Sequence, residues 1–461
     1  MRKGEKMESN LEYLAVPLPE DVLKLKYFGD IERLQRVLAM KLFDPALALP
    51  LRRRLEYERL IMSKWEREYP FTQEEALEAA GRTFRDFSAE ELEGLRDADA
   101  VEWTYICGQV RYKNNFIYNL IATRRAYRDR TLDEGYRTSH RAVSDMLNAA
   151  VAHMKAHGGM KCRMHMHFSA AIEQEEARRG QKVVCQLPLP VEYAQVKNFR
   201  LLSVSHPDAL IAPPDFPART IRFEAVPDRP FEVTFSYEMH APYRQLEPSR
   251  VSAQQPHFLT EEMPPHIVFT PLVRMMTAQI VGDEKNPLLK ARKIYDYITT
   301  QNTYSFMRAY WTLPNIPEYF LTGRKGDCGV QALTFITLCR CAGIPACWQS
   351  GLEVNPLEEV GCHDWAVFYV APYGWLYADP SFGGSAYRAG EMERWHFYFG
   401  SIDPYRMPAA SQFQQTFYQP MKHARHDPYD NQTCEAEYED APVLRNRLTL
   451  TQEALRIEVL P

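Results

Sequence analysis

The stretch from Gly323 to Ala346 constrains this chain more than any other. It opens Gly323-Arg324-Lys325-Gly326-Asp327-Cys328-Gly329. Val330, Ala332, Leu333, Phe335, Ile336, Leu338, Cys339, Cys341 and Ala342 follow, and only Gln331, Thr334, Thr337 and Arg340 interrupt them. A helix that is apolar on nearly every side is an interior helix. Gly343 and Pro345 stop it, so its first turn falls near Cys328. Cys328 is thus expected at the mouth of a buried helix, where unpaired N–H groups and the positive end of the helix dipole favour the thiolate. Gly326 and Gly329 let the backbone approach a substrate carbonyl, and the Cys328 N–H is a candidate oxyanion donor.

A base is expected downstream. Cys362 to Val370 reads as a strand with His363, Trp365, Val367 and Tyr369 on one face. Pro372-Tyr373-Gly374 makes a turn, and Trp375 to Asp379 returns. A four-residue loop, 371–374, would pair Asp379 with Ala366, on the wrong face for His363. A five-residue loop, 370–374, would pair Asp379 with Trp365 and leave His363 one diagonal away on the same face. A Cys–His–Asp triad demands the longer loop or a bulge.

These residues resemble the transglutaminase-like superfamily of papain-like cysteine enzymes. The likeness rests on Gly326-Asp327-Cys328 opening the helix and Arg340-Cys341-Ala342-Gly343-Ile344-Pro345-Ala346 closing it. His363 followed by Trp365, and Gly374-Trp375 leading to Asp379-Pro380, complete it. It covers roughly 265 to 400. It implies Cys328 as nucleophile, His363 as general acid/base and Asp379 as the group that orients the imidazole. It also implies an upstream side chain as second oxyanion donor, with Tyr304 the first candidate and Trp311 the second. Gly326, Asp327, Gly329 and Trp365 are cleft candidates. Asp364 departs from the pattern, since small residues are more usual there. The β region that precedes this segment also resembles the β domain found before the catalytic domain in many bacterial members.

The implied fold class is α+β. Residues 1–160 read as a charged helical region of unknown role, with helical periodicity over Glu32–Leu42, Leu51–Trp65, Asp99–Tyr127 and Ser144–His157. Period-two strands and Pro-rich joints over 161–246 predict a small antiparallel β-sandwich. Residues 247–264 read as a linker and 265–410 as the catalytic domain, in which Asn286 caps a helix that starts at Pro287. Residues 411–461 read as a tail packed on the body. Within it Leu455, Ile457 and Val459 alternate with Arg456 and Glu458.

Lys+Arg total 55 against Asp+Glu 60, a net charge of −5, which argues against a general nucleic-acid binder. No apolar window of about 18 residues predicts a membrane span, and the charged start Met1-Arg2-Lys3-Gly4-Glu5-Lys6 carries no signal-peptide core. Nine cysteines is an odd number and too sparse for a disulfide scaffold, so a reducing, cytoplasmic setting is expected. Cys339, Cys341, Cys347 and Cys362 contain no Cys-x-x-Cys and read as packing residues rather than metal ligands. His165 and His167, with Arg163, read as an exposed strand face in preference to a zinc pair. Arg52-Arg53-Arg54 and the arginines of Thr123–Arg130 read as solvated or ion-paired faces rather than an anion site.

The expected chemistry is acyl transfer on an amide or peptide bond of a peptide or protein substrate, without a cofactor or metal. Hydrolysis is favoured over cross-linking, because water is the default acceptor. The first rival is a non-catalytic peptide- or glycan-binding module that keeps the cleft. The second makes the N-terminal helical region a partner-docking module.

Overall fold

The computed structural model describes residues 11–357 and 360–461, with the backbone alone for 134–140. The charged start, Met1 to Lys6, lies outside the described residues. The fold is α+β: helices pack around antiparallel sheets. Among the described residues no helix is long and apolar enough to cross a membrane.

The N-terminal region is helical over Glu20–Phe28, Ile31–Phe43, Leu49–Met62, Gln73–Thr83 and Ala89–Asp97. Thr72 and Glu75 form a reciprocal capping box at the start of the fourth of these helices. The helix expected over Asp99–Tyr127 is corrected. Trp103–Ile106 and Gln109–Tyr112 form a hairpin, and only Phe116–Thr123 and Arg125–Arg130 are helical. Cys107 and Gly108 both take positive φ, 49° and 76°, in a two-residue loop, the geometry that joins twisted antiparallel strands. The arginines there serve the fold. Arg130 pairs with Glu91, Arg128 bonds the carbonyls of Ile121 and Ala122, and Arg54 reaches the buried Glu58 at 2.9 Å.

Two four-stranded sheets make the β-sandwich. One orders Leu448–Leu460, Gly159–Ile172, Phe231–Pro242 and Val196–Val204. The other orders Glu435–Glu437, Val183–Pro188, Thr220–Ala225 and Leu210–Ile211. Alternating residues Cys162, Met164, Met166, Phe168 and Phe231, Val233, Phe235 fill the space between them together with Cys185, Leu187 and Phe223. The end of the chain therefore supplies one strand to each sheet. His165 faces Glu458 and His167 faces Thr234. Among the described residues no group of three or more His, Cys, Asp or Glu is arranged to hold a metal.

The third large sheet positions the site. It orders Phe399–Gly400, Gly374–Ala378, Gly361–Val370, Ala346–Glu353 and Arg406–Ala410, all antiparallel. Both its faces are covered. Ala346, Trp348, Ala366, Phe368 and Val370 join the core of the helix Cys328–Cys341, whereas Cys347, Leu352, Trp365, Val367 and Met407 join the sandwich core. That helix is buried at every position from Cys328 to Arg340. Its polar groups are satisfied internally: the Thr334 and Thr337 hydroxyls donate to carbonyls one turn back, each at 2.8 Å, and the Gln331 amide donates to the Gly326 carbonyl. Gly343, at φ 79°, ends it. The helix Pro287–Gln301 is capped by Asn286 and buries Leu288, Ala291, Tyr295 and Ile298 along one face. Residues 251–262 form neither helix nor strand. They pass the turn between Gly361–Val370 and Gly374–Ala378, where the Gln255 amide group pairs with the Ala371 backbone.

Candidate active site

Cys328 is the first residue of its helix, and Asp327 is the cap. The Asp327 carboxylate accepts from the Val330 N–H at 3.3 Å, the Met307 N–H at 3.2 Å and the Tyr310 hydroxyl at 2.7 Å. Just before it, Lys325–Gly326 pairs in parallel with Thr303–Tyr304, with Tyr304 opposite Gly326. That short ladder sets the Tyr304 side chain against the sulfur and the N–H of Cys328. Trp311, the second candidate, lies elsewhere: its buried ring sits under the Lys64 ammonium at 4.5 Å. Tyr310, which sequence reasoning passed over, takes the place beside the helix start.

Gly329 is required for this approach. A Cβ there would lie 2.2 Å from the Tyr310 hydroxyl and 2.6 Å from Asp364 Oδ2. Gly326 is equally confined, with Val330 and Phe320 against it.

The register is the one expected of the five-residue loop, but the loop is not: Val370 pairs with Gly374, so only residues 371–373 join the strands and no bulge is needed. Tyr369 pairs with Trp375 and Ala366 with Ala378, so Asp379 follows on the His363 side. His363 Nε2 meets Asp379 Oδ2 at 2.8 Å, and both groups are buried. Asp379 also caps the helix Pro380–Ala389 through the Phe382 N–H, and Arg406 Nη2 lies 3.2 Å from the same carboxylate. Burial works to raise the Asp379 carboxyl, but the His363 imidazole and the Arg406 guanidinium overcome it and hold the group below the usual carboxylate range. Arg406, fully buried, also pairs with Asp403 at 2.6 Å and stacks 4.0 Å over Phe382. Trp365 donates its indole N–H to Gln349 at 2.8 Å.

The three expected catalytic residues are not joined in one chain of hydrogen bonds. The structure pairs His363 with Asp379, and it pairs Cys328 with Asp364, the sulfur lying 3.6 Å from Asp364 Oδ2. The two partners are consecutive on the strand and project to opposite faces, Asp364 toward the helix and His363 toward Phe382 and Trp365. A second expectation is corrected with it. The helix dipole does not leave the sulfur as a ready thiolate: burial, then the Asp364 and Asp327 carboxylates, push the Cys328 thiol well above its ordinary value. Burial also lifts Asp364 well above the carboxylate range, with Asp327 and Asp427 adding to it, and lifts Asp327 to about 6.

Two distant segments brace this arrangement. Glu102 and Asn119 of the N-terminal region hold the loop that carries Tyr304 and Tyr310. Glu102 takes Arg308 at 2.5 Å and Lys325 at 3.4 Å, and the Asn119 side-chain Oδ1 accepts the Phe306 N–H at 2.9 Å. From the C-terminal side, the Gln432 amide donates to Asp364 Oδ1 at 2.6 Å and to the His363 carbonyl at 3.2 Å.

Residues 274–380 match the model of the transglutaminase-like superfamily. An uncharacterized protein of Bacillus subtilis, YebA, is 23% identical over 129 residues, which is 24% of this chain; the match spans 17% of YebA. Among solved structures, a "putative cysteine protease" from Cytophaga hutchinsonii is similar at 14% identity and a TM-score of 0.38, over 66% of this chain and 93% of its own. The periplasmic domain of TgpA from Pseudomonas aeruginosa is similar at 15% identity and a TM-score of 0.29, over 54% of this chain and 95% of its own.

Proposed function

We propose that this chain, with its transglutaminase-like domain at 274–380, is a cysteine-dependent enzyme that hydrolyses an amide or peptide bond of a peptide or protein by acyl transfer. The supporting observation is the buried His363–Asp379 pair, 2.8 Å apart, carried by the strand that passes the mouth of the Cys328 helix. In this reading the Cys328 thiolate attacks the carbonyl carbon. The Cys328 N–H and the Tyr304 hydroxyl hold the oxyanion, and His363 protonates the leaving amine. Water then attacks the acyl-enzyme with His363 as base, and Asp379 stabilises the imidazolium that forms in each half. For this the sulfur must leave Asp364, and the imidazole must turn from the Phe382 face of the strand toward the helix mouth. Water is the acceptor because no second-substrate signature marks the sequence. Its sparse, odd-numbered cysteines fit a reducing, cytoplasmic setting.

One observation favours the rival reading of a peptide- or glycan-binding module: the sulfur's partner is a carboxylate, and Cys328 is only 9% exposed. Hydrolysis of a pooled peptide library by the wild type, Cys328→Ala and His363→Ala separates the two. The enzyme reading expects both substitutions to lower turnover by at least about 10³-fold. Equal product from the wild type and Cys328→Ala would refute it and leave the binding module.

A further inference from the structure

The contact that the triad does not use is the one most firmly built. Asp364 Oδ2 faces the Cys328 sulfur at 3.6 Å and the Tyr310 hydroxyl at 3.4 Å, while Oδ1 takes the Gln432 amide at 2.6 Å. Both oxygens of a nearly fully buried carboxylate are thereby fixed. Gln432 is itself held on each side. Its backbone carbonyl accepts from the Gln452 amide at 3.0 Å, on the strand Leu448–Leu460. Neighbouring Asn431 donates to the carbonyls of Arg219 and Ala409, each at 2.8 Å. Three residues back, the Tyr429 hydroxyl meets His266 at 2.7 Å and its ring stacks on Phe413. A segment anchored at Tyr429, Asn431 and Gln432 can hold an amide where it is needed. Gly329 completes the fit, because any side chain there would displace Asp364.

We propose that Asp364 keeps Cys328 in its thiol form, and that Gln432 is the positioning residue that aims Asp364 at the sulfur. The inference rests on the reading of Cys328 as nucleophile. The physical cause is plain: a thiolate beside a carboxylate is repelled, whereas a thiol donates its hydrogen to it. The groups facing this pair reinforce the effect. Asp327 lies at the helix start, Asp427 and Asp430 on the C-terminal segment, and the Tyr304 and Tyr310 hydroxyls on the loop. Release of Asp364 by a substrate that displaces Gln432 frees the sulfur to ionise.

The test is the pH profile of iodoacetamide alkylation at Cys328. It is read by peptide mapping on the full-length wild type, Asp364→Asn and Gln432→Ala, with near-UV circular dichroism as the check on folding. Asp364→Asn keeps the shape and removes the acid whose ionised form opposes the thiolate. Its midpoint is expected to fall by at least about one pH unit, roughly a tenfold faster reaction at a fixed pH below the midpoint. Gln432→Ala is expected to shift the midpoint the same way by less. A folded Asp364→Asn whose midpoint matches the wild type would overturn the proposal. If that variant does not fold, an unmoved midpoint in Gln432→Ala does so. A merely structural role would change melting and leave the midpoint alone. The outcome is separable from turnover. Shifted midpoints in a protein without hydrolysis would uphold the clamp and sink the enzyme reading, and unmoved midpoints beside Cys328-dependent hydrolysis would do the reverse.

Discussion

Replacing Arg406 by Met should expose how much of the site is held by one buried cation. The guanidinium is fully buried, lies 2.6 Å from Asp403 and 3.2 Å from Asp379, and stacks on Phe382. Met fills much of the same volume without the charge, so two buried carboxylates lose their cation. Breaking a buried pair in this way costs about 3–5 kcal/mol. The lower end applies here, because Asp379 keeps His363 and the Phe382 N–H, and Asp403 keeps the Tyr398 hydroxyl and the Tyr405 N–H. The pH dependence has a definite sign. In the wild type the Asp379 carboxyl is held below its ordinary range, so its contribution is complete above that range and is lost as pH falls through the folded-state value. Without Arg406 that value rises, and the variant takes up a proton that the wild type does not. Urea unfolding followed by tryptophan fluorescence should show a deficit of about 3 kcal/mol at pH 7.5 that narrows toward pH 5. A deficit under about 1 kcal/mol, or one that does not change with pH, would refute the reasoning.

Gly329→Ala should destabilise by about 1–3 kcal/mol in thermal or urea melts, since the new methyl meets Tyr310 and Asp364, both tied by other bonds, and the gain of about 1 kcal/mol in helix propensity does not offset it. The same variant should alkylate faster at Cys328, because Asp364 is pushed away from the sulfur; a more stable and equally slow protein would contradict both points. Asp327→Asn should flatten the pH dependence of stability while keeping the cap. Burial lifts Asp327 to about 6, so its contribution is present below the unfolded value of 3.8 and is lost as pH rises through 6. The change in unfolding free energy between pH 4.5 and 7, read from urea melts, should therefore differ between the two proteins by on the order of 2 kcal/mol; parallel pH curves would count against it.

The interior helix, its start at Cys328 and the strand pair that brings Asp379 beside His363 were all legible, because periodicity and alternation encode them locally. The face of the strand that meets the helix was not. Ala366, Phe368 and Val370 on one side and Trp365 and Val367 on the other are equally apolar, since helix and sandwich cover both faces. Nothing in the pattern showed that the helix mouth would meet Asp364. Gln432 and Arg406 were hidden for another reason: Asp364 and Asp379 lie far from them in sequence, and Gln432 sits in a tail that reads as polar loop. The hairpin over 103–112 was missed because Cys107-Gly108 is a turn pair set inside spacings that also fit a helix.

The central claim is that Cys328 forms a covalent acyl intermediate with His363 as its proton carrier. Intact-mass spectrometry of the acid-quenched enzyme, mixed with an activated ester of a short N-blocked peptide, tests this directly. The account predicts one acyl adduct that maps to Cys328, forms within the first turnover, disappears in Cys328→Ala and persists longer in His363→Ala. A wild type that stays unmodified, or an adduct spread evenly over the other thiols, would contradict it.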